Sequence, residues 1–195
     1  MVLLRKAVLL LCLALPGALL GVFLGFGASG RAEAAPADLE YEVKAAFLYN
    51  FAKFVEWPPD AFPDPAAPVA ICVVGEDPFG QGLDAVVEGE TLNSHRLVVR
   101  RLRDPLQVRD CHVLFVSRSE KGRLPALMAG LRGSGVLTVG EADDFLEQGG
   151  VIRFVLEQHR VRFDINLDAA ERGRLKLSSK LLRLARSVNP QRRGA

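Results

Sequence analysis

Cysteine, histidine, tyrosine and tryptophan are all scarce in this chain of 195 residues, which holds three Cys, three His, two Tyr and one Trp. So few cysteines exclude a disulfide-dense miniprotein. His95, His112 and His159 are scattered along the chain. His112 directly follows Cys111, so on a strand the two side chains would point to opposite faces, and no Cys/His metal site or activated thiol is expected. Net charge is also lacking: 25 Lys+Arg against 23 Asp+Glu gives a formal +2, without the basic excess of a nucleic-acid-binding domain. Chemical motifs are missing as well. The stretch from Gly75 to Gly82 contains no G-x-G-x-x-G and no Gly-Lys-Ser/Thr, and Glu76 and Asp77 would repel phosphate. Gly133-Ser134-Gly135 lacks the flanks of a nucleophile elbow, and Asp143-Asp144 has no further carboxylate at calcium-loop spacing. No catalytic residue, cofactor or metal is expected.

What is present begins with 49% hydrophobic residues, enough for one domain with a real core at this length. Residues 1–34 read as an export signal: Arg5 and Lys6 form a basic start, residues 7–26 are uncharged and apolar, and Ala32-Glu33-Ala34 supplies small residues for a signal peptidase. Cleavage would leave residues 35–195 as a single domain starting at Ala35. An uncleaved membrane anchor is the alternative, since the apolar run can just span a bilayer. Cys12 lies inside that run after Leu11, which argues against a lipoprotein. The mature chain would hold 22 basic and 22 acidic residues, unevenly placed. Residues 171–195 carry Arg172, Arg174, Lys176, Lys180, Arg183, Arg186, Arg192 and Arg193 against Glu171 alone. Two cysteines would be left, Cys72 and Cys111, and an even count in an oxidising compartment reads as a disulfide.

Residues 40–56 lack Gly and Pro and stop before Trp57-Pro58-Pro59, the signature of a helix end. On that helix Phe47, Phe51 and Phe54 share one face, apolar enough to be buried against the core or to touch a partner. Apolar, β-branched runs at 69–75, 96–102, 112–117 and 135–140 read as strands. Helices are expected after the first of them through Val87, at 119–131 and as a short turn at 143–148. Continuous apolar strands alternating with helices give a three-layer α/β fold, a mostly parallel sheet with helices on both faces. The runs 151–157 and 160–166 alternate apolar with polar residues around Gln158-His159 and read as a C-terminal antiparallel hairpin at the sheet edge. A last helix is expected over 168–188, with Leu177, Leu181, Leu184 and Ala185 on one face and Lys176, Lys180 and Arg183 on the opposite one. Gly173 is its weak point. At the strand ends around Gly75 and Ser117, open sheets form crevices that take small molecules.

The segments KAAFLYNFAKFVEWP, CHVLFVSRSE, VLTVGEADDFLEQGGVIRF, VRFDINLDAA and LKLSSKLLRLA occur in an order and spacing that resembles the YfiR-like family of exported bacterial regulators, over about residues 40–188. The resemblance implies a periplasmic, non-enzymatic protein that binds the periplasmic region of an inner-membrane signalling protein, a diguanylate cyclase in the best-understood members, and holds it inactive. It places Cys72 and Cys111 at positions where members carry a cystine, which here would join the first and third strands of a sheet ordered 2-1-3. Gly149-Gly150 match the family's Gly-Gly turn and Asn166 the end of its Ile-Asn strand. The second cysteine pair that some members carry is missing between Val136 and Val161. Partner contact is expected through Phe47, Phe51 and Phe54 and through Lys176, Lys180 and Arg183, the basic set steering toward an acidic domain or weakly toward an anionic membrane surface. A homodimer is a further partner to consider. The rival readings are a periplasmic small-molecule-binding module feeding a sensor kinase, and a hydrolase.

Overall fold

A run without Gly or Pro from Ala37 to Trp57 favours a helix from the start of the domain. In the computed structural model, which describes residues 36–189 except Pro63, Pro65 and Asp104, this helix, α1, spans Pro36–Lys53, with Asp38 in its first turn and Lys53 in its last complementing the helix dipole. The expected signal, with Cys12, lies outside the described residues, as do Arg192 and Arg193. After α1 come β1 (Val55–Glu56), β2 (Val69–Val74), α2 (Gln81–Val87), β3 (Thr91–Leu92), β4 (His95–Leu102), β5 (Val113–Val116), α3 (Leu124–Gly130) and β6 (Leu137–Gly140). The chain continues through β7 (Ile152–Glu157), β8 (Arg160–Asn166), α4 (Leu167–Arg172), β9 (Lys176–Leu177), α5 (Ser179–Leu184) and β10 (Ser187–Asn189).

Eight strands form one sheet in the order β10-β8-β7-β6-β5-β2-β4-β3. The pairings of β2 with β4 and β5, β5 with β6, β6 with β7 and β8 with β10 are parallel; β7 with β8 and β3 with β4 are antiparallel. Every residue of β2, β5 and β6 is buried, as strands covered on both faces must be. Ile71, Val73, Val113, Phe115, Leu137 and Val139 point into a core shared with α1, α2, α4 and α5. Ala70, Cys72, Val74, Leu114 and Val116 point into a second core with Leu124, Leu127, Met128 and Phe145. The Cys72–Cys111 disulfide lies in that second layer, with a Cα separation of 5.9 Å, and the first, second and third long strands, β2, β4 and β5, stand in the order 2-1-3. Phe145 sits against Gly140 and Gly150: a Cβ on either glycine would come within 2.4 Å or 2.2 Å of its ring. That contact fixes glycine at the second position of the Gly149-Gly150 turn.

Three local expectations are corrected. The first helix ends at Lys53 rather than near Glu56, because Val55–Glu56 pairs as β1 with β9 in a separate two-stranded ladder. The hairpin is not at the sheet edge, since β10 adds in parallel outside β8. The single helix over 168–188 does not exist: α4 stops at Arg172 with Gly173 as its C-cap, Lys176–Leu177 becomes β9, Ser178 caps a new short helix and the chain ends in β10. Lys176 therefore shares no helical face with Lys180 and Arg183, and Leu184 is 53% exposed rather than on a buried stripe.

The terminal strand is held by one carboxylate. Asp164 on β8 is 1% exposed and accepts from Arg186 at 2.7 and 2.9 Å, from Arg153 at 2.8 Å and from Ser187 at 2.8 Å. Burial pushes its pKa up, but the hydrogen bonds from Arg186, Arg153 and Ser187 outweigh it and bring the carboxyl down from 3.8 to about 2. An unfolded Asp takes up its proton first as pH falls, so this stabilisation is complete above about pH 4 and is lost toward pH 2. The shift corresponds to about 2 kcal/mol. Urea unfolding of Asp164→Asn and of the parent protein between pH 6 and pH 2 should show the parent's stability falling more steeply below about pH 4; parallel curves would contradict this account.

Candidate functional site

The carboxyl ends of β2, β5 and β6, where an open α/β sheet offers a ligand crevice, are filled by the protein's own side chains. A Cβ at Gly75 would lie 2.4 Å from Ser119 Oγ and 2.9 Å from Glu120 Cγ, and Ser119 Oγ accepts from the Glu76 N–H at 2.9 Å. Beside them Glu141, the residue after β6, forms an ion pair with Lys44 of α1, which also pairs with Glu40. Tyr41 donates to Glu141 Oε2 at 3.3 Å, and Arg118 Nε lies 3.5 Å from the same oxygen. Burial and the neighbouring Glu141 push the Tyr41 hydroxyl up to about 12, so it stays a donor. Lys44 and Glu141 are 3% and 5% exposed. The cluster anchors the first half of α1 to the sheet.

His95 and His112 are brought together at the other end of the strands, stacked on the Phe62 ring at centroid distances of 4.4 and 4.5 Å. His112 Nδ1 accepts from the Ala70 N–H at 3.1 Å, and burial lowers its pKa. It is therefore a neutral, structural imidazole fastening the 57–68 loop. His159 sits at the hairpin turn with φ +60°. Among the described residues no three His, Cys, Asp or Glu side chains are grouped to hold a metal ion.

The six residues expected to meet a partner fall in separate places. Phe51 is 1% exposed and packs against Phe154 and Phe163, so it belongs to the core. Phe54 is half-buried, with Lys180 Nζ 5.0 Å from its ring centre. Lys176 is exposed on β9 and Arg183 on α5. Phe47 alone of the aromatic set lines an open groove.

That groove, about 650 Å³, runs between α1 and the β7–β8 hairpin. Leu39, Val43 and Phe47 follow at i, i+4 and i+8 on one wall, the spacing that stacks side chains on one helical face. Leu156 and Val161, a cross-strand pair, form the other wall, and Glu40, His159 and Arg160 stand around them. Leu39, Val43 and Leu156 are 52%, 45% and 53% exposed, three of the four large apolar side chains open to solvent among the described residues. The sequence reading found Phe47 and missed Leu39, Val43 and Leu156, although the i, i+4, i+8 spacing and the residues flanking the two-residue turn were there to be read.

The domain is thus a three-layer α/β fold that carries an apolar groove between α1 and the β7–β8 hairpin. The model of the YfiR/HmsC-like family matches residues 41–186, and the chain belongs to this family. No curated protein matches the chain. Similar solved structures include an ABC domain in complex with L-Trp from Streptococcus pneumonia, 12% identical over 79% of this chain and 60% of that one, with a TM-score of 0.48. Another is a conserved domain protein from Vibrio cholerae, 12% identical over 80% and 61%, with a TM-score of 0.49. This chain thus spans about three fifths of either length.

Proposed function

We propose that this protein is an exported, non-enzymatic regulator that docks on the periplasmic region of an inner-membrane signalling protein, a diguanylate cyclase, and holds it inactive. Family membership supports the regulatory class, and the observation that carries the contact is the groove of Leu39, Val43, Phe47, Leu156 and Val161. Exposed apolar residues clustered in one groove, with charged groups around them, fit the pattern of an interaction site. In this reading Phe47 is the aromatic contact, Phe51 supports it from beneath, and Lys176, Lys180 and Arg183, with Phe54 under Lys180, steer an acidic partner from a separate surface. Repression requires tighter binding to the cyclase's inactive conformation than to its active one. A difference of about 1–3 kcal/mol gives a 5–150-fold effect.

Val43→Asp combined with Leu156→Asp tests the groove, because both side chains are exposed and lie outside the buried core. The pair should weaken binding to the partner's periplasmic domain by at least about tenfold, as polar substitution in a binding centre does, and should raise cellular cyclic-di-GMP. Unchanged binding and dinucleotide levels in an exported, folded variant would refute the groove as the contact. Lys176→Glu with Lys180→Glu and Arg183→Glu should instead slow association and flatten its salt dependence.

A further inference from the structure

A second cavity, of about 300 Å³, lies between the end of α3, β6, the Gly149 turn and α4. Its chemistry differs from that of the groove. Met128, Leu131, Val136 and Val151 supply apolar lining, and all four are buried. Arg132, just after α3, and Arg172, in the last turn of α4, line the same space, with Glu147 as a single opposing charge.

Several arginines of the domain are already committed to partners within the chain. Arg101, Arg118, Arg123, Arg153, Arg174 and Arg186 are each tied to a carboxylate of this chain, and Arg109 to the Gly130 carbonyl. Among the described residues neither Arg132 nor Arg172 has such a partner, a state they share with the exposed Arg96, Arg160, Arg162 and Arg183, but these two line one cavity together. Thr138 adds a third group. It is 4% exposed and its Oγ1 accepts from the Val151 N–H at 3.0 Å, which leaves its hydroxyl proton available to a guest. Guanidiniums recognise carboxylates through paired hydrogen bonds, and a concave site that combines polar groups with apolar side chains is the usual form of a small-molecule pocket.

We propose that this cavity binds a small organic carboxylate with an apolar body, its charge held by Arg132 and Arg172 and its body against Met128, Leu131, Val136 and Val151. Inorganic anions lack the body that the walls would cover. Neutral analogues lack the charge. A bound carboxylate would tie the turn after α3 to α4, and the site is independent of which protein the groove meets.

The test is a titration of the folded, oxidised domain with phenylacetate, followed by amide chemical shifts and by calorimetry. Phenylacetamide and inorganic phosphate serve as the uncharged and the bodiless comparison. Saturable shifts at Thr138, Gly149 and Val151, with phenylacetate favoured over both comparisons, are expected. Arg132→Gln and Arg172→Gln, exposed changes that leave the core untouched, should each weaken binding by about tenfold, the loss expected for a charge-assisted contact. Phosphate or phenylacetamide binding as well as phenylacetate, shifts confined to other parts of the domain, no saturable response, or unaltered binding in both variants would each overturn the proposal.

Discussion

Replacing Cys72 and Cys111 together by Ala is expected to be among the most destabilising changes the domain can suffer away from its ion pairs. The bridge joins residues 39 apart in sequence, and closing a loop of that length removes chain entropy from the unfolded state worth about 4 kcal/mol in the loop-closure model. Both sulfurs sit in the second core, where Cys72 is 0% and Cys111 5% exposed, so the two Ala side chains also leave unfilled volume. For a domain of this size the loss corresponds to a fall in Tm of roughly 8–16 °C. Urea unfolding of the parent with and without reductant, beside the double variant, separates the terms: reduction removes the loop constraint alone, whereas the variant adds the packing loss. A change below about 1 kcal/mol on reduction would refute the entropic account. The consequence for function is direct, because β2 and the segment entering β5 are the centre of the sheet on which α1 rests.

Sequence reasoning recovered the parts of this fold that depend on local pattern. Runs such as Val69 to Val74 and Val113 to Val116 are apolar throughout because both faces of those strands are covered, and Arg153 and Val155 alternate with the core residues Ile152 and Phe154 because β7 shows one face to less buried surroundings. The C-terminal region misled for the same reason. Leu177, Leu181 and Leu184 have helical spacing, yet Lys176–Leu177 is drawn into a ladder with Val55–Glu56, about 120 residues earlier in the chain. No window around Leu177 contains that partner. The groove was half legible: a wide apolar arc on the first helix pointed to Phe47, but the opposing wall depends on the hairpin folding back onto α1. The three phenylalanines read as one stripe are divided by depth, with Phe51 in the core and Phe47 at its margin. Nor could the sequence pair Lys44 with Glu141, since the two are 97 residues apart.

That pair gives the other large effect. Lys44 and Glu141 have side chains only 3% and 2% exposed, and removing one member of a buried ion pair leaves its partner charged in a poorly solvated place, at a cost of about 3–5 kcal/mol. Glu141→Leu should lie at the upper end, because Lys44 then keeps only the partly exposed Glu40 and the Tyr41 hydroxyl loses its acceptor. Lys44→Met should cost less, since Arg118 and Tyr41 still face Glu141. Combining the two substitutions removes both charges, and replacement of a buried pair by apolar side chains is often close to neutral. The double variant should therefore be more stable than the sum of the single losses by at least about 2 kcal/mol, a coupling expected of contacting residues. Strict additivity in urea unfolding would show that the two charges do not depend on each other. Partner binding supplies a second readout. Leu39, Val43 and Phe47 lie on the same helix as Lys44, so if the cluster positions α1, Glu141→Leu should weaken docking although Glu141 is not part of the groove, and the double variant should recover much of it. Loss of binding that persists in the stable double variant would instead mean that the charges themselves, and not the placement of α1, are what the partner senses.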